Sequence, residues 1–74
     1  MPELPKISGT LAIKIFEYLG FRVVRQKGSH VVLKKENRGC VIPIHKELAI
    51  GTLRNAIKQA GITVEEFLNM YHNH

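Results

Sequence analysis

Between residues 21 and 44 the chain carries three runs rich in β-branched side chains, 21–27, 30–35 and 39–44. They are parted only by Gly28-Ser29 and by Glu36-Asn37-Arg38. Connections this short join antiparallel neighbours, because a parallel crossover needs a dozen or more residues. A three-stranded antiparallel meander is therefore expected, and it limits what the rest of the chain can do. Gly28 tolerates positive φ, so Gly28-Ser29 reads as a tight hairpin turn. Counting outward from the turns puts Val23, Val32, Cys40, Ile42 and Ile44 on one face and Val24, Val31, Leu33 and Val41 on the other. A slip of one residue exchanges a strand's faces. Pro43 lacks a donor, which suits a strand end or an edge.

The flanking segments read as helices. Residues 1–7, with Pro2 and Pro5, are an extended lead-in. Ser8 is placed as an N-cap, with Ile7 and Ala12 as a hydrophobic staple around it. From residue 9 to 19 the apolar positions Leu11, Ala12, Ile15, Phe16 and Leu19 recur at helical spacing. Gly20 stops the helix, and Phe21 can fold back on its last turn as in a Schellman ending. After a connector at 45–48, residues 49–60 form a second amphipathic helix, with Ile50, Leu53, Ala56, Ile57 and Ala60 inward and Arg54, Asn55 and Lys58 outward. Gly61 ends it. Thr63-Val64-Glu65-Glu66 is a capping box with Ile62 and Phe67 as its staple, giving a short third helix through Met70 and a frayed tail at 71–74.

The sum is one domain spanning 1–74, α-β-β-β-α with a short C-terminal helix. It is a two-layer α+β arrangement in which both helices cover one side of the sheet. The face assignment leaves Val24, Val31, Leu33 and Val41 uncovered, a strip better explained by a protein partner than by solvent. The element order is also that of the double-stranded RNA-binding domain.

With 74 residues the core is thin and any active site shallow. The lone Cys40 excludes an internal disulfide and a cysteine zinc site. No apolar run approaches the roughly 20 residues of a membrane span, and no signal-peptide pattern opens the chain, so a cytoplasmic location is expected. Eleven Lys and Arg stand against six Glu and no Asp, a net charge of +5, which favours a polyanionic partner. Without Asp, a carboxylate cluster or a Gly-rich phosphate loop, neither magnesium nor zinc finds its usual ligands, and no metal or cofactor is expected. Ser29 has no acidic third member for a triad.

One ionisable group stands out. His30 opens the second strand immediately after the turn, and imidazole is the side chain that exchanges protons near neutral pH without help. A single histidine at a strand start is more often structural than chemical.

Leu4-Pro5, Ser8-Gly9, Gly20-Phe21, Gly28-Ser29-His30, Pro43-Ile44-His45, Glu47-Leu48, Gly51-Thr52-Leu53-Arg54 and Gln59-Ala60-Gly61 are individually short, but their order and spacing are specific. Through them nearly the whole chain resembles the HicA (YcfA-like) toxins of bacterial and archaeal toxin-antitoxin pairs. The resemblance implies a double-stranded-RNA-binding-like fold and ribosome-independent cleavage of messenger RNA. It also implies neutralisation by a HicB antitoxin whose partial RNase H-like domain covers the toxin. The family's catalytic histidine, in its Gly-Ser-His motif, maps onto His30. Val31 and Leu33 stand where the family often has polar or aromatic residues, which weakens the case for base stacking on Leu33.

RNA supplies its own nucleophile, the 2′-hydroxyl, so His30 is the candidate general base, or the acid if roles are reversed. Lys27 and the amides of Gly28 and Ser29 are candidate donors to the developing phosphorane charge. His45 is expected near His30, because the start of the second strand lies beside the end of the third. It either shares in proton transfer or orients the connector and contacts RNA. Arg25, Lys27, Lys34, Lys35, Arg38, Lys46 and Arg54 are the candidate phosphate contacts. The leading reading is an mRNA endoribonuclease toxin held in check by an antitoxin. The alternatives are a non-catalytic double-stranded-RNA-binding module and a pure protein-interaction domain.

Overall fold

A computed structural model describes residues 3–73; the readings made for Pro2 and His74 lie outside them. The elements are α1 (Gly9–Tyr18), β1 (Arg22–Lys27), β2 (His30–Lys35), β3 (Arg38–Pro43), α2 (Ile50–Ala60) and α3 (Val64–Asn73). The sheet is antiparallel in the order β1-β2-β3. This is the α+β meander with flanking helices that the chain's turns require, and it shares the α-β-β-β-α order of double-stranded RNA-binding domains.

Local chemistry sets the helix ends. Ser8 Oγ accepts the Leu11 amide at 3.1 Å and satisfies one of the donors a helix start leaves open. At the other end of α1, the Phe21 amide donates to Phe16 and the Gly20 amide to Glu17, both at 3.0 Å, with Gly20 at φ 99°. That is a Schellman ending. It brings the rings of Phe16 and Phe21 edge to face at 5.4 Å. Thr63 and Glu66 exchange reciprocal hydrogen bonds of 3.0 Å at the start of α3, closing a capping box. α3 runs to Asn73, three residues beyond the expected stop at Met70. Leu68, Met70 and Tyr71 pack against the core, and Asn73 Nδ2 donates to the Asn69 carbonyl at 2.7 Å, so residues 71–73 stay helical.

The sheet faces differ from the sequence reading. Val31 lies opposite Ile42 and Leu33 opposite Cys40. All four are buried under the helices. Val32 lies opposite Val41 on the open side, where Val41 is 42 % exposed. β2 is thus one residue out of phase with the expectation: Val31 and Leu33 belong to the core, not to an exposed strip, and Val32 leaves the inner face. Ile44 lies past the end of β3 and is exposed. The inner face continues into Ile15, Phe16, Leu53, Ile57 and Phe67, all nearly inaccessible. Phe16 touches Phe67 at 5.4 Å between ring centroids and ties α1 to α3.

β1 is one of the two edge strands, and every residue of it is exposed. Its pairing with β2 skips a residue between Val23 and Arg25, leaving Val24 as a bulge. A bulge shifts the alternation by one. As a result Arg22 (opposite Lys34), Arg25 (opposite Val32) and Lys27 (opposite His30) all share the open face. Were Val24 paired in regular alternation and not bulged, Arg22 would turn to the helix side.

At the far end of the sheet, the Gly9 amide donates to the His45 carbonyl at 2.9 Å, and the Ile44 amide to the Ser29 carbonyl at 2.6 Å. A Cβ on Gly9 would collide with the Pro43 carbonyl. The first turn of α1 therefore rests directly on backbone, which only glycine permits. These contacts clamp the Gly28-Ser29 turn and the 43–45 segment together.

Candidate functional site

The clamp brings two histidines to one place. His30 begins β2 opposite Pro43, and His45 follows two residues later on the connector. Both are exposed, and both line a single cleft of about 420 Å³. From the sheet the cleft takes Val41 and Pro43 as a small apolar floor. Its opposite wall comes from α2, through Thr52, Asn55, Ala56 and Gln59, positions at i, i+3, i+4 and i+7 that fall on one helix stripe. No acidic side chain lines it. The volume lies within the roughly 300–1,000 Å³ range of small-ligand sites.

The predicted cations divide into two groups. Arg25, Lys27 and Lys34 share the open face with His30, joined by Arg22, which the sequence reading missed because a bulge without a glycine leaves no local mark. Lys35 and Arg38, opposite each other at the far turn, are drawn to the helices. Lys35 Nζ donates to the Leu19 carbonyl at 2.9 Å and sits 6.0 Å above the Phe21 ring, and Arg38 Nη1 donates to the Gly61 carbonyl at 3.5 Å. These two help cap α1 and α2 and do not join the His30 face. Lys46 is exposed on the connector next to His45, and Arg54 is exposed on α2 outside the cleft lining. Gly28 (φ 60°) and Ser29 form the turn beside His30, and the Gln26 side chain donates to the Gly28 carbonyl at 3.2 Å.

Thr52, Asn55 and Gln59 were not singled out as site residues. Their traces in the chain are a neutral polar stripe beside α2's apolar one and, for Thr52 and Gln59, membership of the Gly51-Thr52-Leu53-Arg54 and Gln59-Ala60-Gly61 motifs. Among the described residues no three His, Cys, Asp or Glu side chains converge where a metal ion would be held. Cys40 lies on the inner face, where burial pushes its thiol up to about 12, so it stays a neutral core group and supplies no nucleophile. No helix among the described residues is long and apolar enough to cross a membrane.

A meander backed by helices on one side, with four cations and His30 on the other and His45 on the adjoining connector, defines a small α+β fold with one open, cationic sheet face. Its sequence over residues 11–62 matches the profile described as HicA toxin of bacterial toxin-antitoxin, and the chain belongs to the HicA toxin family. It is thus the toxin member of a toxin-antitoxin pair, whose counterpart is an antitoxin. No individually curated protein matches the chain.

Proposed function

We propose that this toxin is a metal-independent endoribonuclease acting on messenger RNA in the cytoplasm, with His30 as its general acid or base, and that a HicB-type antitoxin neutralises it. The supporting observation is the position of His30, solvent-exposed at the mouth of a cleft and on the one sheet face that gathers Arg22, Arg25, Lys27 and Lys34. Those cations hold phosphates, an attraction that is strong, salt-sensitive and blind to sequence.

In the reaction, the ribose 2′-oxygen attacks the adjacent phosphorus while its proton passes to one imidazole. The bond to the 5′-oxygen breaks as that oxygen gains a proton, leaving a cyclic phosphate and a free 5′-hydroxyl. His30 removes the first proton. His45, on the same cleft, is the group available to deliver the second. Lys27, opposite His30, and the Gly28 and Ser29 amides oppose the charge that builds on the phosphoryl oxygens. An antitoxin that covers the cationic face silences binding and chemistry together.

The test is His30→Ala, followed for RNA cleavage in vitro and for growth arrest on induction. Cleavage should fall about 10²–10⁴-fold with the circular dichroism spectrum unchanged, and growth should recover. Undiminished cleavage by the folded variant removes His30 from the mechanism. RNA that is retained but never shortened, by parent and variant alike, favours the non-catalytic binding module.

A further inference from the structure

The face bearing Arg22, Arg25, Lys27 and Lys34 holds any RNA backbone equally well, so it offers no means of choosing where to cut. The wall opposite His30 has a different chemistry. Asn55 and Gln59 project neutral amides from α2 at the rim of the cleft. Among the described residues neither side chain is engaged by another group, whereas Gln26, Asn73, Lys35 and Arg38 all spend theirs within the fold. Between the two amides lies Ala56, and across from them the apolar floor of Val41 and Pro43.

An amide offers a donor and an acceptor side by side, the pattern that pairs with the edge of a nucleobase. An apolar floor suits the face of the same base. The space is too small for a duplex and ample for one nucleotide. We propose that this cleft is a nucleobase pocket, in which Asn55 and Gln59 read the edge of one unpaired base next to the phosphate presented to His30, with Thr52 at its margin. The toxin then cuts single-stranded RNA with a preference at a single flanking position. The inference rests on the endoribonuclease reading for its cleavage consequence, and on the cleft alone for its binding consequence.

The test uses short single-stranded oligoribonucleotides with one scissile linkage and each of the four bases in turn at the positions on either side of it. The parent protein should cut the preferred base roughly 5- to 100-fold faster than the others at one position, the range of a good bidentate base contact. Asn55→Ala with Gln59→Ala should flatten that ratio, while Arg25→Ala should slow all four substrates by the same factor. In parallel, 2′-O-methyl versions, which lack the nucleophile, are titrated onto His30→Ala protein by fluorescence anisotropy, where the same base should bind tightest. Equal rates and equal affinities for all four bases overturn the pocket, as does a bias that survives in the double variant. They would leave the cleft to a protein partner. Absence of any cleavage with a base-dependent affinity defeats the nuclease reading and keeps the pocket, so the two failures are distinguishable.

Discussion

The two faces of the sheet are built from the same short strands and are spent on different ends. The covered face is Val31, Leu33, Cys40 and Ile42, closed by α1 and α2 and almost without accessible surface. The open face is Arg22, Arg25, Lys27, His30 and Lys34 around a small apolar centre of Val32 and Val41. Adjacent residues on β2 thus have different surroundings: one packs against the helices, the next faces out from the sheet. A chain of 74 residues has little core to spare, and among the described residues none of its charged side chains is buried.

The sharpest way to break the comparison is a neighbouring pair on β2. Leu33→Ala should cost about 2–5 kcal/mol and unfold much of the population, read as a drop in urea midpoint. Val32→Ala, one residue away, should shift that midpoint by well under half as much. Equal losses would mean that the open face carries core after all. Next in size, Arg25→Ala combined with Lys27→Ala should leave the urea midpoint nearly unchanged. The slope of log affinity against log salt should fall by about 0.7 per cation for single-stranded RNA. An unchanged slope would place the RNA elsewhere. The smallest effect is expected from deleting Val24. Removal of the bulge leaves Arg22, Arg25 and Lys27 in phase on the open face, so the salt slope should hold while stability changes by about 1 kcal/mol or less. A lost contribution from Arg22 would show that the bulge does more than set phase.

The elements themselves were legible because their signals are local. Ser8, Gly20-Phe21, Gly61 and the Thr63 to Glu66 box each mark an end through groups within a few residues, and all of them form the expected contacts or backbone. Face assignment was not legible, because β2 reads Val-Val-Leu and is apolar at either parity. Only the packing of α1 and α2 selects Val31 and Leu33 for the core. The bulge at Val24 hides for the same reason, since a second valine directly after Val23 gives no break in pattern. At the site, the nearness of His30 to Arg25, Lys27 and Lys34 could be read from the hairpin, but not that they share the open face. The α2 wall, twenty residues downstream, could not, because nothing short-range says which flank of a helix will border a distant turn. Lys35 and Arg38 show the converse: cations on a hairpin tip that the tertiary fold recruits to helix ends.

Gly9 sits against the Pro43 carbonyl, and main-chain hydrogen bonds from Gly9 to His45 and from Ile44 to Ser29 hold the segment bearing the second imidazole. A single added methyl at position 9 would pry that joint apart. The placement of the histidine pair therefore hinges on the absence of one methyl group, far from either ring in sequence.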